Sequence, residues 1–191
     1  DTLADAVKDE GTDILFGREH FYEELLGLRF QISPFSFFQT NVAAVERLYT
    51  EALSMIDDIE GKTVFDLYCG TGTITQALAL KAKKAVGVEI VEDAVEAARE
   101  NAKLNELDTL ADTPDVIVVD PPRAGINYKA LPKILKYGVD QILYISCNPK
   151  TLVENLRFME EHGYVIGDIK AYDNFPFTAH VECAVVVRKV K

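Results

Sequence analysis

The chain has 191 residues, 48% hydrophobic and 27% charged, which predicts one globular domain or one domain with a fragment of another. The residues given show no signal-peptide pattern and no apolar run of the roughly 20 residues that a membrane helix needs, so we expect no membrane binding. Three cysteines without a CxxC pair favour the cytoplasm and argue against a disulfide framework or a metal site. The net charge of −11 argues against a domain that binds the phosphate backbone of a nucleic acid by itself.

The predicted elements follow a regular order along the chain. Short alternating stretches before residue 33 predict strands or a hairpin, and residues 42–56 show the apolar spacing of an amphipathic helix. Further on, apolar strands alternate with helices, which is typical of a parallel sheet covered on both faces. The predicted strands are 62–68, 84–90, 115–120, 141–146, 164–175 and 180–190, and the predicted helices are 73–82, 92–105, 128–138 and 149–163.

This order predicts an α/β fold with a doubly wound, mostly parallel sheet. The last two strands have no helix between them, so we expect a closing hairpin with an antiparallel C-terminal strand. Residues 1–34 are predicted to be a lead-in, the remnant of a preceding region, and residues 35–191 the main domain. The step from Asn105 to Pro114 breaks the alternation, and we expect a further strand and helix to belong there. Since the first residue is Asp1 and not Met, we expect the chain to be a piece of a longer protein.

A glycine-containing turn joins the strand at 62–68 to the helix that follows it. The order D-x-Y-C-G-x-G runs from Asp66 to Gly72, where glycines permit a sharp turn and the helix start offers free N–H groups. About 20 residues further on, Glu89 ends the next strand, where an acid can hold a ribose diol. The pattern favours an adenosyl ligand without a pyrophosphate, which means S-adenosylmethionine over NAD. A simple tight turn is the alternative.

Another strand ends in Asp120-Pro121-Pro122-Arg123. Two consecutive prolines hold the chain extended and have no N–H, so Asp120 is presented rigidly at the rim of the sheet. Methyltransferases that act on exocyclic amines of bases resemble this stretch but carry an aromatic residue after the prolines. Arg123 stands at that position, which argues against methylation of an exocyclic amine.

The position of Cys147 indicates a nucleophile. It follows the buried strand at 141–146, and Asn148 and Pro149 are suited to the cap and first turn of the next helix. Ligands bind at the carboxyl ends of such strands, and a helix N-terminus lowers the pKa of a thiol. A small apolar core residue is the alternative for Cys147. Cys69 is expected only to pack in the glycine turn, and Cys183, which alternates with Glu182 along a strand, is expected to lie in the core.

Five motifs occur together in the chain: Phe37-Phe38-Gln39-Thr40-Asn41, Asp66-Leu67-Tyr68-Cys69-Gly70, Asp120-Pro121-Pro122-Arg123, Ser146-Cys147-Asn148-Pro149 and His180-Val181-Glu182. In this order they resemble the RNA uracil-5-methyltransferases, which make 5-methyluridine in tRNA or rRNA. The resemblance extends over residues 35–187. It implies a Rossmann-like class I methyltransferase fold, with Cys147 as the nucleophile and Glu182 as the base. The S-adenosyl-L-methionine contacts that it implies are Gln39, Tyr68, Gly70, Thr73, Glu89 and Asp120.

Two features depart from the family's pattern. The family has an acid near the adenine after a further strand, and that strand would fall in the short step around Asp108. The residues given do not include a counterpart of its amino-terminal RNA-binding domain, which often carries an iron–sulfur cluster, so we expect neither this cluster nor a metal in this chain. We expect the missing domain to supply the affinity for the RNA substrate, tRNA or rRNA, which answers the objection from negative charge. We expect the protein to be a monomer.

The expected chemistry explains the need for these residue types. Uracil C5 is a poor nucleophile, and addition of the Cys147 thiolate to C6 creates an enolate that can accept a methyl group. Glu182 then takes the C5 proton, and the base must be extruded to reach the thiol, with Phe37 or Phe175 packing against it. Two alternatives stay open. A methyltransferase acting on a protein or small molecule fits the charge but leaves Cys147 and Glu182 unexplained, and an adenosyl-binding module would be inactive without its RNA-binding domain.

Overall fold

The computed structural model describes residues 13–34, 36–105, 107 and 114–190. Its strands are β1 (Phe21–Leu25), β2 (Leu28–Ile32), β3 (Thr63–Leu67), β4 (Lys84–Val88), β5 (Val116–Val119), β6 (Gln141–Ser146), β7 (Tyr164–Tyr172) and β8 (Glu182–Lys189). Its helices are α1 (Val42–Leu53), α2 (Thr73–Ala79), α3 (Glu92–Leu104), α4 (Leu131–Leu135) and α5 (Pro149–Glu161), with a short 3-10 turn at Ile59–Gly61. Within these ranges, no helix is long and apolar enough to cross a membrane.

The predicted elements are found in the predicted order, and the helices are shorter than predicted, α4 most of all. The helix predicted at 42–56 ends at Leu53, and the one predicted at 128–138 forms only over Leu131–Leu135. Pro132 lies in the first turn of α4, where its missing N–H costs no internal hydrogen bond. Gly138 follows with a φ of 68°, a left-handed conformation that closes the short helix.

The main sheet has six strands in the order β4-β3-β5-β6-β8-β7. The first four are parallel to one another, and β8 runs antiparallel to both β6 and β7, so the predicted mixed sheet with a closing hairpin is confirmed. From β3 the chain goes to β4 on one side and later to β5 on the other. This reversal opens a crevice at the carboxyl ends of the strands, which is where such sheets bind ligands.

Apolar side chains alternate between the two faces of the central strands. In β5, Val116 and Val118 pack on the face covered by α1 and α2, whereas Ile117 and Val119 pack on the face covered by α4 and α5. All four residues of this strand are fully buried. Burial on both faces explains why the strand is apolar throughout rather than alternating with polar residues.

The hairpin of β1 and β2 packs directly against the main domain. Leu25 and Phe30 belong to the same hydrophobic cluster as α1 and one face of the main sheet. The hairpin is also fixed to α3, because Gln31 N donates to Asn101 Oδ1 at 2.8 Å and Arg29 N to the side chain of the residue that caps α3. The predicted lead-in therefore shares a core with the domain that follows it.

The predicted extra strand and helix between Asn105 and Pro114 fall mostly outside the described residues. On either side of this step the structure is regular: α3 ends at Leu104, and Asp115 N donates to Thr63 O at 2.8 Å as β5 joins β3. β4, which precedes the step, lies at the edge of the sheet. The presence of a further strand there stays a prediction.

Candidate active site

A cavity of about 820 Å³ lies at the carboxyl ends of the parallel strands, at the point where the strand order reverses. Its volume is in the range of pockets that bind small molecules and cofactors. All eight residues predicted for the site border it: Gln39, Tyr68, Gly70, Thr73, Glu89, Asp120, Cys147 and Glu182. The fold therefore brings together side chains that are up to 143 positions apart in the chain (Gln39 to Glu182).

The glycine turn after β3 is shaped by left-handed backbone and by Glu89. Tyr68 has a φ of 67° and Gly70 a φ of 52°, a conformation that glycine adopts freely and tyrosine rarely does. The Glu89 carboxylate accepts hydrogen bonds from Gly70 N at 3.0 Å, from Ile90 N at 2.7 Å and from Val91 N at 3.0 Å. Glu89 thus connects the end of β4 to the glycine turn.

The turn fits one end of an adenosyl group. An ionised carboxylate has about four acceptor positions, so Glu89 keeps capacity for a ribose hydroxyl after its three backbone bonds. Beside it, the Ile90 side chain is 95% exposed and borders the cavity, where it offers an apolar surface for a flat ring. In the described part of the chain, no group of three or more His, Cys, Asp or Glu residues is arranged to hold a metal ion.

An acid and a thiol lie near the floor of the turn: Asp66, which is fully buried, and Cys69, which is half-buried. Thr75 Oγ1 donates to Asp66 Oδ2 at 2.6 Å, and no hydrogen-bond partner of Asp66 Oδ1 occurs among the described residues. Burial raises the pKa of Asp66 to about 7, with the charge of Glu89 adding to it. Burial and the charges of Asp66 and Glu89 raise the pKa of the Cys69 thiol to about 12. Cys69 is therefore a poor source of thiolate.

Tyr49 of α1 is a site residue that the sequence did not reveal. Tyr49 borders the cavity, and burial and the nearby Asp120 raise its pKa, while the side chains of Thr73 and Gln39 act in the opposite direction. Tyr49 thus lies near both the segment before α1 and the first turn of α2. Its helical spacing among apolar residues predicts a core residue. That pattern does not distinguish a tyrosine that only packs in the core from one that also borders a functional site.

Cys147 and Glu182 lie at neighbouring strand ends. Ser146, the last residue of β6, is the register partner of Cys183 in β8, so Cys147 and Glu182 flank this pair on the same edge of the sheet. Both border the cavity. Cys183 points to the opposite face and is buried in the hydrophobic core, as predicted from its alternation with Glu182.

Electrostatics at this edge differ from the expectation for a reactive thiol. Burial raises the pKa of Cys147, and the charges of Glu182 and Asp120 raise it further. The pKa of Cys147 is therefore raised, and the lowering expected from its place before α5 is wrong. Burial also raises the pKa of Asp120 to about 7, with contributions from Glu182 and Asp66. The pKa of Glu182 is raised by its own burial.

Arg123 is a cationic residue that acts against the raised pKa values at this edge of the sheet. Its charge lowers the pKa of both Cys147 and Glu182, although burial prevails in each case. Arg123 Nη2 donates to His180 Nδ1 at 2.6 Å, and since arginine is only a donor, Nδ1 is the acceptor. The Arg123 carbonyl accepts from Asn148 Nδ2 at 2.9 Å. Arg123 thus connects the loops that follow β5 and β6 with the residues that precede β8.

The fold and the cavity define a Rossmann-like domain of the methyltransferase class. The strand order, the antiparallel C-terminal strand and the acid at the end of β4 beside a glycine turn are the features that carry this assignment. The chain belongs to the tRNA (uracil-5-)-methyltransferase family, whose model matches residues 8–113 and 112–190. The two matched segments meet inside the short step where a further strand and helix are predicted.

Several relatives are similar over nearly the whole chain. An uncharacterized RNA methyltransferase of Clostridium tetani is 49% identical, with 99% of this chain and 44% of the relative covered. An uncharacterized RNA methyltransferase of Caldanaerobacter subterraneus is 44% identical, with 99% of this chain and 45% of the relative covered. Among solved structures, the Pyrococcus abyssi tRNA (uracil-54, C5)-methyltransferase in complex with S-adenosyl-L-homocysteine has a TM-score of 0.78 and 31% identity, with 95% of this chain and 49% of that chain covered. The chain thus spans less than half the length of these relatives.

Proposed function

We propose that this chain is the catalytic domain of an enzyme that transfers a methyl group from S-adenosylmethionine to C5 of a uridine in tRNA or rRNA. The observation that carries the proposal is the pairing of Cys147 and Glu182 at adjoining strand ends, in the cavity that also holds the glycine turn. Membership in the tRNA (uracil-5-)-methyltransferase family supports the same conclusion. The remainder of a longer protein would supply most of the RNA affinity, since this chain has a net charge of −11.

The two residues act at different steps. The Cys147 thiol loses its proton, and the sulfur forms a bond to C6 of the uracil, so that C5 gains the electron density of an enolate. Bound S-adenosylmethionine supplies the methyl group that C5 accepts. Glu182 then takes the C5 proton, and the electron pair left behind re-forms the C5–C6 double bond as the C6–S bond breaks. The sulfur leaves C6 as a thiolate and regains from water the proton that it lost to water in the first step, and Glu182 is restored when it passes the C5 proton to water.

The cofactor-binding residues follow from their places around the cavity. We assign the ribose hydroxyls to Glu89, whose carboxylate already holds the glycine turn. Tyr68, Gly70 and Thr73 border the cavity in or directly after the glycine turn, and Gln39 and Asp120 border it too. The uracil would enter from the side of Cys147 and Glu182, with Phe37 or Phe175 against its ring.

Replacement of Glu89 tests the cofactor site. Glu89→Ala removes the acceptor for the ribose and three backbone hydrogen bonds, one of them from the glycine turn, so the affinity for S-adenosylmethionine should fall by about 1–3 kcal/mol, or roughly 5- to 150-fold. Isothermal titration calorimetry measures the change. Glu60→Ala removes the same charge from an exposed turn remote from the cavity and should bind normally. Unchanged affinity in a folded Glu89→Ala protein would disprove the assignment.

Arg123 should set the pH dependence of the first step. Because the pKa of Cys147 is raised, little thiolate exists at neutral pH, and the rate of adduct formation should increase as the pH rises. Arg123→Gln removes a charge that lowers this pKa, so the curve should move to higher pH and the rate at pH 7 should fall by roughly 2- to 5-fold, as for other partly exposed charge interactions. Arg123→Lys keeps the charge and serves as control. Rapid-quench rates at saturating RNA that overlay those of the wild type would refute this role.

Incorporation of labelled methyl groups tests the proposed function as a whole. The full-length protein is incubated with methyl-labelled S-adenosylmethionine and total RNA from cells lacking its gene. We expect label in 5-methyluridine at a defined uridine, and its position distinguishes tRNA from rRNA. Label found instead in protein or in a small molecule would favour the alternative methyltransferase, and cofactor binding without transfer to any acceptor would favour an adenosyl-binding module.

A further inference from the structure

Phe177, in the loop between β7 and β8, has an unusual backbone for an exposed aromatic residue. Its φ is 69°, in the left-handed region that bulky side chains rarely adopt, and its side chain is fully exposed. Neither burial nor a helix cap accounts for this conformation. Strained residues of this kind persist only where the surrounding structure holds them, and they are concentrated at functional sites.

Hydrogen bonds fix the loop on both sides of Phe177. Thr178 Oγ1 donates to the Phe175 carbonyl at 2.7 Å, and Thr178 N donates to the same oxygen at 3.2 Å. Thr178 Oγ1 in turn accepts from His180 N at 3.2 Å. Further back, Asn41 Nδ2 donates to the Asn174 carbonyl at 2.7 Å, which connects the loop to the start of α1. The loop therefore presents Phe177 to solvent in a defined position.

The same loop forms part of the cavity mouth. Phe175 and His180 border the cavity and contact each other edge-to-face, with ring centroids 6.4 Å apart. Phe177 lies between them in the chain but outside the cavity lining. The exposed Arg123, which donates to His180, lies at the same rim and carries the charge needed to meet a phosphate. An aromatic ring and a guanidinium beside a cavity are the elements from which single-stranded nucleic-acid sites are built.

We propose that Phe177 stacks on a base of the RNA substrate next to the uridine that enters the cavity. This inference rests on the proposed function and specifies how its substrate is held. Extrusion of one base leaves its neighbour without a stacking partner, and an aromatic side chain fixed at the mouth supplies one. Stacking needs a flat ring and not a particular base, so Phe177 is a positioning residue that contributes to RNA binding but not to the bond-making steps.

Substitutions that distinguish the aromatic ring of Phe177 from the size of its side chain test this role in the full-length protein. Phe177→Ala and Phe177→Leu should raise the KM for RNA by about 10-fold or more, the range of one lost base–aromatic stack, while kcat at saturating RNA stays within about 2-fold. Phe177→Trp keeps a flat ring and should retain the wild-type KM. Phe16→Ala, at an equally exposed phenylalanine before β1 and away from the cavity, is the matched control and should behave as wild type. The affinity for S-adenosylmethionine should be unchanged in all four variants, which would confirm that they are folded.

The outcomes separate this inference from the proposed function. The anisotropy of fluorescently labelled RNA gives the dissociation constant in parallel with turnover. Wild-type protein that binds RNA but forms no 5-methyluridine would reject the proposed function, and the Phe177 series would still decide the stacking role through binding. If Phe177→Leu binds RNA as the wild type does, or if Phe177→Trp is as weak as Phe177→Leu, the exposed ring is not a stacking platform, and a surface for a protein partner becomes the better explanation.

Discussion

Cys147→Ala should abolish methyl transfer, with a loss on the order of 10⁴-fold or more, as expected when the nucleophile of a covalent mechanism is removed. Without the sulfur no bond to C6 forms, and C5 has no electron density with which to accept a methyl group. Binding of S-adenosylmethionine should be nearly unaffected, because the glycine turn and Glu89 lie at other strand ends. Turnover with labelled cofactor and calorimetry on the same preparation measure the two properties separately.

Cys69→Ala is the matched control for this experiment. Cys69 borders the same cavity, but burial and two neighbouring carboxylates raise its pKa to about 12, and it packs in the glycine turn. Its replacement should leave most of the activity. Full activity in Cys147→Ala together with loss in Cys69→Ala would mean that the nucleophile has been assigned to the wrong cysteine.

Glu182→Gln should also stop turnover, but at a later step. Addition of Cys147 to C6 and methylation of C5 need no base at position 182, whereas removal of the C5 proton does. Methylated RNA should therefore accumulate as a covalent complex with the protein. A band that survives denaturing gel electrophoresis, carries the methyl label and forms in near-stoichiometric yield is the expected result.

The double variant identifies the attachment point. Cys147→Ala combined with Glu182→Gln should form no stable complex, since the sulfur that holds the RNA is missing. The amide introduced by Glu182→Gln keeps the shape of the carboxylate and cannot take up a proton, so misfolding does not explain an accumulating adduct. Normal turnover by the Glu182→Gln variant would mean that another group acts as the base. Asp120, whose pKa is raised to about 7, is the first candidate.

Much of the fold was predictable because its signals are local. Apolar runs such as Val116–Val119 and Gln141–Ser146 read directly as buried strands, and Asn148 and Pro149 marked the start of α5, where Asn148 does accept from Lys150 N. Parallel strands place their carboxyl ends at one edge. This rule alone brought Glu89, Asp120 and Cys147 together from sequence.

Properties that depend on distant contacts were not predictable. Whether Tyr49 is a plain core residue depends on Thr73 and Gln39, and neither is near it in the helical pattern. The hydrogen bond from Arg123 to His180 joins residues 57 positions apart. The pKa of Cys147 was expected to be low from its place before a helix, but burial raises it, and the carboxyl groups of Glu182 in β8 and of Asp120 after β5 raise it further. The residues next to Cys147 in the sequence do not show which charged side chains lie near it in the folded protein.

Trapping by RNA that contains 5-fluorouridine tests the central claim most directly. Fluorine at C5 cannot be removed as a proton, so the wild-type protein should add Cys147 to C6, methylate C5 and then stall as a denaturant-stable protein–RNA complex. We predict such a complex with full-length protein and S-adenosylmethionine, with the crosslink mapped by mass spectrometry to Cys147. Efficient methylation of ordinary RNA without any trapped complex, or a crosslink at a different residue, would contradict the covalent mechanism proposed for this site.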